Sequence, residues 1–217
     1  MISLLLVLSL AYQTFLYTSF FSYHSICIPL FVLQIKWENR LRKDKGRSCL
    51  TYHDGVDCRI NSPKKKNKNK GNYPFDECWY GHKFKKAGLR YGIATCIQTG
   101  EIVLVQGPFP AGAWPDQKIY TQHVVPKLRP GEKVEADRGY RHPTIRRPEN
   151  FYCRSEKKAK GAAAGRHETI NGRLKNFASL DDRFRHKRHD HKYYFYTACI
   201  MYNLMHRQYG PTFDVYY

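Results

Sequence analysis

At 217 residues the chain is long enough for one good-sized core, or one domain with an appendage. Lys and Arg total 37 against 18 Asp and Glu, and the resulting net charge of +19 points to a polyanionic partner, with a merely soluble basic protein as the alternative. Nucleic acid is the first partner it implies and an anionic membrane surface the second. Seven cysteines are scattered without a C-x-x-C pair, which argues against a disulfide framework and fits reduced thiols in cytosol or nucleus.

Residues 1–35 contain no Lys, Arg, Asp or Glu. By composition they read as one or two membrane spans or a signal sequence, with Lys36, Arg40, Arg42 and Lys43 following as they would after an anchor. No positive charge precedes the apolar run and no small-x-small site ends it, which weakens the signal reading. The alternative is a pair of buried helices, or the remnant of a larger amino-terminal region.

Residues 49–60 predict a first strand, broken at Asp54-Gly55. The polar stretch 61–72 carries Lys64, Lys65, Lys66, Lys68 and Lys70. It reads as a nuclear address, a phosphate-contacting loop or a solvated linker. The runs 89–97 and 101–106 form a hairpin around Gln98-Thr99-Gly100. After a Gly/Pro-rich loop at 107–115, residues 116–125 predict a short helix with Asp116 placed to cap it and Pro126 ending it. In the stretch 133–140, Val134 and Ala136 alternate with charged neighbours, so a short strand is expected, with Asp137 at its carboxyl end and a break at Gly139. Residues 141–165 read as a long basic connection. A helix is expected over 166–177, with Ile170, Leu174 and Phe177 as its apolar stripe and Glu168, Asn171 and Lys175 on its polar face. A core-covering helix follows at 193–209, with Phe195, Cys199, Tyr202 and His206 in register. His186, His189 and His191 with Cys199 match no standard zinc spacing. Trp79, Tyr80, His82 and Lys83 suit either base stacking or a core with a basic rim.

The predicted order is strand, hairpin, helix, strand, helix, helix. One acid follows the first strand, one the fourth, and one lies on a later helix. This is the arrangement of the ribonuclease-H-like α/β fold, a mixed central sheet flanked by helices, expected here over 37–217 behind the apolar segment 1–36. Between Asp54 and Asp137 lie 82 residues, and between Asp137 and Glu168 lie 30. If the first and fourth strands are neighbours, both Asp side chains reach one sheet edge and a helix can deliver Glu168 to them. Two carboxylates about 4 Å apart repel by roughly 4 kcal/mol at an effective dielectric near 20. A cluster of three therefore calls for a counterion, and hard oxygen donors suit Mg²⁺ or Mn²⁺.

At these residues the chain resembles the DDE superfamily of transposase endonucleases, especially its Harbinger-like branch. The elements that carry the resemblance run in order from Trp37 to the end. They are Trp37-x-Asn39-Arg40, Asp54-Gly55-Val56-Asp57, Trp79-Tyr80-Gly81-His82-Lys83-Phe84 and Ala87-Gly88-Leu89-Arg90-Tyr91. Next come Gln98-Thr99-Gly100, Gly107-Pro108-Phe109-Pro110-Ala111-Gly112, Trp114-x-Asp116 and Glu135-Ala136-Asp137-x-Gly139-Tyr140. The last are Arg166-His167-Glu168-Thr169-x-Asn171-Gly172-Arg173-Leu174-Lys175 and Phe184-Arg185-His186. The resemblance implies that Asp54, Asp137 and Glu168 are the catalytic triad. It implies that these three, with Asp116 as a fourth acid, hold divalent Mg²⁺ or Mn²⁺ for two-metal cutting and joining of DNA phosphodiesters. Asp57 competes with Asp54 for the first place; the Asp-Gly pair favours Asp54. Lys175 stands where the family's glutamate–six–lysine spacing puts a lysine. With Arg166, Arg173 and the loop lysines Lys64, Lys65 and Lys66 it completes the expected DNA contacts. One departure is that Ala162–Ala164 occupy positions where the family's wider signature carries a Tyr and an Arg. No basic recognition helix is visible ahead of the domain, so a separate DNA-binding partner protein is expected to supply recognition; a homo-oligomer is the other partner expected. The expected location is the nucleus, with a membrane as the alternative from residues 1–35 alone. The rival function is a domesticated or decayed relative that binds DNA or a protein without cutting.

Overall fold

The two longest strands of the sequence, Cys49–Arg59 and Lys86–Cys96, form the middle of a mixed sheet, and their alternation decides what covers each side. The computed structural model describes residues 35–43, 49–63, 76–146, 154–211 and 213–215, and these lie within one compact unit, Ile35–Tyr217. The apolar segment and the lysine-dense loop both lie outside the described residues, apart from their last and first few positions.

The strands are β1 (Cys49–Arg59), β2 (Tyr80–Gly81), β3 (Lys86–Cys96), β4 (Ile102–Pro110), β5 (Lys133–Glu135) and β6 (Ile145–Arg146). β3 pairs antiparallel with β1 on one side and with β4 on the other, and β2 adds to its amino-terminal end. β5 pairs parallel with β1, and β6 parallel with β5. The helices are α1 (Asp116–Ile119), α2 (Arg154–Leu174), α3 (Ala178–Asp181) and α4 (His191–Tyr209). The protein is therefore mixed α/β, with a parallel and antiparallel sheet between helices. Among the described residues no helix is long and apolar enough to cross a membrane.

Strand alternation sorts the core into two layers. Val56, Cys58, Leu89, Tyr91 and Ile93 face α2 and α4, where Ile170, Leu174, Phe195 and Cys199 meet them. The Tyr91 and Phe195 rings stack with centroids 3.7 Å apart. On the other face Ala94, Cys96 and Val134 pack against Tyr120, Val124 and Tyr140. α4 also closes the hairpin: the Asn203 amide accepts from the Ile102 N–H at 2.9 Å and donates to the Ile102 carbonyl at 2.8 Å, as a neighbouring strand would. The Trp37-x-Asn39-Arg40 motif has a structural role of the same kind. Arg40 is buried, lies over the Trp37 ring, and makes a bidentate pair with Glu132 at 2.7 and 2.9 Å, which fixes the turn before β5.

Four local expectations are corrected. β1 runs unbroken through Asp54-Gly55. β4 continues to Pro110, into the predicted loop. The N-cap of α1 is Pro115, with no side-chain cap, so Asp116 is not a capping residue; the chain continues from α1 through a π turn at Tyr120–Val124 and a 3-10 turn at Val125–Lys127. Finally, α2 begins at Arg154, and the basic connection 141–165 contains β6 and the first three turns of that helix. The Lys/Ala-rich segment before Gly165 has good helix propensity but no large apolar residue to mark an inward stripe. Phe177 lies beyond the helix and is 39% exposed.

Candidate active site

The parallel pairing of β1 with β5 sets the site. Thr51 lies opposite Val134 and Tyr52 opposite Glu135. Two residues further along each chain stand Asp54 and Asp137, at corresponding places on neighbouring parallel segments. The period of two points both toward the face that carries Tyr52 and Glu135. That face is covered by α2, where Ala163 packs with Cys49 and Tyr52, and the His167 ring lies 5.1 Å from the Tyr52 ring. Glu168 follows His167 and is exposed, as is Asp137. The two predicted Asp residues thus stand on neighbouring parallel segments where β5 ends, and Glu168 lies on the helix that covers that face.

Their charges report the same proximity. Burial, and then the charges of Asp54, Asp137, Glu135 and Glu168, hold the Tyr52 phenol well above its ordinary pKa. Burial raises Asp54 to about 7; the charges of Asp116, Asp137 and Glu168 add to the rise and the Gly55 N–H opposes it. That N–H donates to Asp54 Oδ1 at 2.8 Å, and the Gly139 N–H donates to Asp137 Oδ1 at 2.8 Å.

Asp116 reaches the cluster from the opposite face. It packs against the backbone of Gly55, where a Cβ would fall 1.9 Å from its Oδ1. Glycine in the Asp-Gly pair is therefore required by the neighbouring carboxylate, not by a strand break. Burial raises Asp116, and Arg90 opposes the rise. Its Oδ1 lies 3.4 Å from Arg90 Nε and has no hydrogen-bond partner. Asp57, the competitor for the first position, faces the same way and is neutralised: Arg90 donates to its two oxygens at 2.7 and 2.8 Å.

The predicted DNA contacts divide. Lys64, Lys65 and Lys66 lie outside the described residues. Arg173 is exposed and Lys175 half-buried just beyond α2. Arg166 is a correction: it is 4% exposed and donates to the carbonyls of Ile97 and Phe213, so it braces α2 against the hairpin and does not present itself to a phosphate. His191, considered for zinc, is buried with its Nδ1 2.7 Å from the Tyr91 hydroxyl.

Two supporting contacts had no sequence signal. Lys160 on α2 donates to the carbonyls of Ala136 and Arg146 at 2.8 and 3.2 Å, joining the helix of Glu168 to the strand end of Asp137. Behind Asp137, the buried Tyr140 hydroxyl lies 3.2 Å from His53 Nδ1. Glu135 is fully buried beside these groups and both its oxygens lack a hydrogen-bond partner; burial raises it to about 7, with Lys160 and Arg146 opposing.

Among the described residues no three His, Cys, Asp or Glu converge closely enough to hold a metal ion. The four acids share one electrostatic field without forming a closed cage. Comparison with protein-family models, curated proteins and solved structures gives no match.

Proposed function

We propose that the chain is a metal-dependent DNA endonuclease domain of the DDE type, with a ribonuclease-H-like fold. The observation that carries this reading is the parallel register of β1 and β5, which sets Asp54 and Asp137 side by side under the helix bearing Glu168. The strand order supports the fold: an antiparallel hairpin on one side of β1 and two parallel strands on the other. The donor chemistry fits Mg²⁺ or Mn²⁺, because the charges of Asp116, Asp137 and Glu168 add to the proton affinity of Asp54 and one Asp116 oxygen is buried without a hydrogen bond. Asp54, Asp137 and Glu168 would hold such ions, with Asp116 as the fourth ligand. When bound, divalent ions polarise the phosphoryl oxygen and stabilise the charge that develops on the leaving oxygen.

The chain's own residues supply the rest. Lys160 and the Tyr140–His53 contact hold the Asp137 segment from two sides, so its carboxylate keeps its place relative to Glu168. Arg90 holds Asp57 out of the cluster and lies beside Asp116. Exposed Arg173 and half-buried Lys175 lie along α2 where a phosphate backbone would pass. DNA is the substrate in this reading, the nucleus the place of action, a separate DNA-binding protein the source of sequence recognition, and a second copy of the chain a further partner.

A second reading has its own support. Asp54 and Asp137 each take a hydrogen bond from a nearby backbone N–H and do not close on a common point. A decayed relative that binds DNA without cutting would look the same. Nicking of supercoiled plasmid with Mg²⁺ or Mn²⁺ separates them, with wild type run beside Glu168→Gln. Cutting by wild type alone, with equal DNA binding by both, supports the endonuclease. DNA binding by both proteins with no cutting by either leaves the second reading.

A further inference from the structure

The electrostatics are not confined to the acidic centre. α2 runs along β1 in the same direction: Ala163 packs with Cys49 and Tyr52, His167 lies against Tyr52, and Lys175 is close enough to Cys58 to lower its thiol pKa against the larger effect of burial. Past α3 the chain returns to the end of β1. Phe184 forms a parallel bridge with Ile60, taking a hydrogen bond from the Asn61 N–H at 3.3 Å and giving one to the Arg59 carbonyl at 2.9 Å. The buried Phe184 ring fixes this crossing, and its neighbours Arg183 and Arg185 are exposed. Arg188 stacks over the Trp79 ring at 4.4 Å, and Arg59 lies over Phe84 at 5.9 Å, which brings the exposed turn lysines Lys83 and Lys85 to the same end of the sheet.

Arg59, Lys83, Lys85, Arg183, Arg185 and Arg188 are all exposed, and among the described residues none is in an ion pair. Asp181 and Asp182 are the nearest acids in sequence to Arg183, and they pair with none of the six. Six cations without an ion pair among the described residues thus share one end of the sheet, two of them lying over aromatic rings. Neither the core nor the hydrogen-bond network requires these charges there. Asp54 and Ile60 are six residues apart on a continuous extended chain, so the surface begins about 20 Å from the acids.

We infer that this end of the sheet holds the phosphates of duplex DNA flanking the scissile bond, an inference that rests on reading Asp54 as part of the cutting centre. At about 3.4 Å per base pair, 20 Å corresponds to roughly six base pairs of arm. The acids and the basic surface would then grip one duplex at two points, with Lys175 between them. The contacts are to backbone, so they set reach and orientation without reading sequence.

The test measures binding apart from cutting. Fluorescence anisotropy without divalent metal follows full-length protein on nicked duplexes whose arm grows from about two to about ten base pairs. For wild type, affinity should climb until the arm reaches about six base pairs and then level off. The combined variant Arg59→Gln, Lys83→Gln, Lys85→Gln, Arg183→Gln, Arg185→Gln keeps Arg188 and the lysine-dense loop. It should melt at the wild-type temperature, lose most of that climb, and flatten log K against log salt by about 0.9 for each contact removed. A variant that matches wild type in arm dependence and salt slope overturns the inference, even if wild type nicks plasmid normally. So does a variant whose only defect is weaker binding to vesicles rich in phosphatidylserine, which would make this a membrane-facing surface. A wild type with the arm dependence that never nicks would end the endonuclease reading and leave this surface standing.

Discussion

Asp54 and Asp57 stand three residues apart on one strand and live in opposite chemical worlds. Asp57 is held by both arms of Arg90 on the face that also carries Asp116. Asp54 faces α2, takes one hydrogen bond from its own neighbour's N–H, and feels the charges of Asp116, Asp137 and Glu168. The odd spacing puts them on opposite faces, and the fold then treats one as a structural ion and the other as an unmet charge. A paired carboxylate stabilises the fold when it is ionised. An unpaired one among other acids costs stability and is available to a cation. The difference separates a carboxylate that holds the fold from one that is left without a counter-charge, without any appeal to motif.

The largest expected effect falls on the unmet side. Asp54→Asn, Asp137→Asn and Glu168→Gln should each lower plasmid nicking by about a thousandfold or more, since in the proposed centre each is an anionic ligand. DNA affinity should barely move, and Asp54→Asn should melt no lower than wild type at pH 8. Normal cutting by all three variants would sink the assignment of the centre. On the paired side the pattern should invert. Asp57→Asn leaves the Arg90 guanidinium, 13% exposed, without its bidentate partner. A loss of roughly 2–4 kcal/mol in denaturant unfolding is expected, while the folded fraction still cuts. An Asp57→Asn protein that is stable but inactive would move the first ligand to Asp57 and erase the contrast.

Gly55 is the point where the two faces touch. Gly55→Ala places a methyl group on top of the Asp116 carboxylate, so Asp116 must swing away from the strand and from Arg90. Overpacking of this kind costs about 1–3 kcal/mol. Asp116→Ala in the same background should recover most of that loss; if it recovers none, the clash is not with Asp116.

How much of this was legible beforehand depends on the kind of signal. The apolar periodicity of 89–97, 101–106 and 193–209 marked elements that are present, because burial on a sheet or helix face leaves that pattern in the residues themselves. The acids were singled out by their motifs, but their juxtaposition comes from the pairing of Tyr52 with Glu135, which no local pattern encodes. Asp116 looked like a helix cap because caps are local; its partner Arg90 lies on another strand, and Pro115 takes the cap position. Lys160 was hidden in the run Lys157-Lys158-Ala159-Lys160, where only the helical register shows that one lysine turns inward to the Ala136 carbonyl. Arg166 shows the converse: an arginine in a basic helix reads as surface until two carbonyls from distant segments claim it.

The smallest expected effect is also the most direct probe of the unmet charge. Burial, with the neighbouring acids, lifts Asp54 from an ordinary value of 3.8 to about 7. Between those values the folded chain keeps a proton that the unfolded chain has already lost. Unfolding there releases a proton, so stability falls as pH rises from about 4 to about 7 and the full cost is present above that range. Glu135, buried and also raised to about 7, acts in the same direction. Solvent screening at this partly buried site reduces the contribution of Asp54 to on the order of 1–2 kcal/mol. Asp54→Asn should therefore flatten the stability profile over that range, and Glu168→Gln should flatten it less. Mg²⁺ or Mn²⁺ should raise the melting temperature of wild type more at pH 8 than at pH 5.5, because protons and cations compete for the same oxygens. Asp54→Asn should lose most of that metal response. A wild-type profile that is level from pH 4 to 7, or a metal response that survives Asp54→Asn, would show that Asp54 is not the unmet charge and that the contrast with Asp57 lies elsewhere.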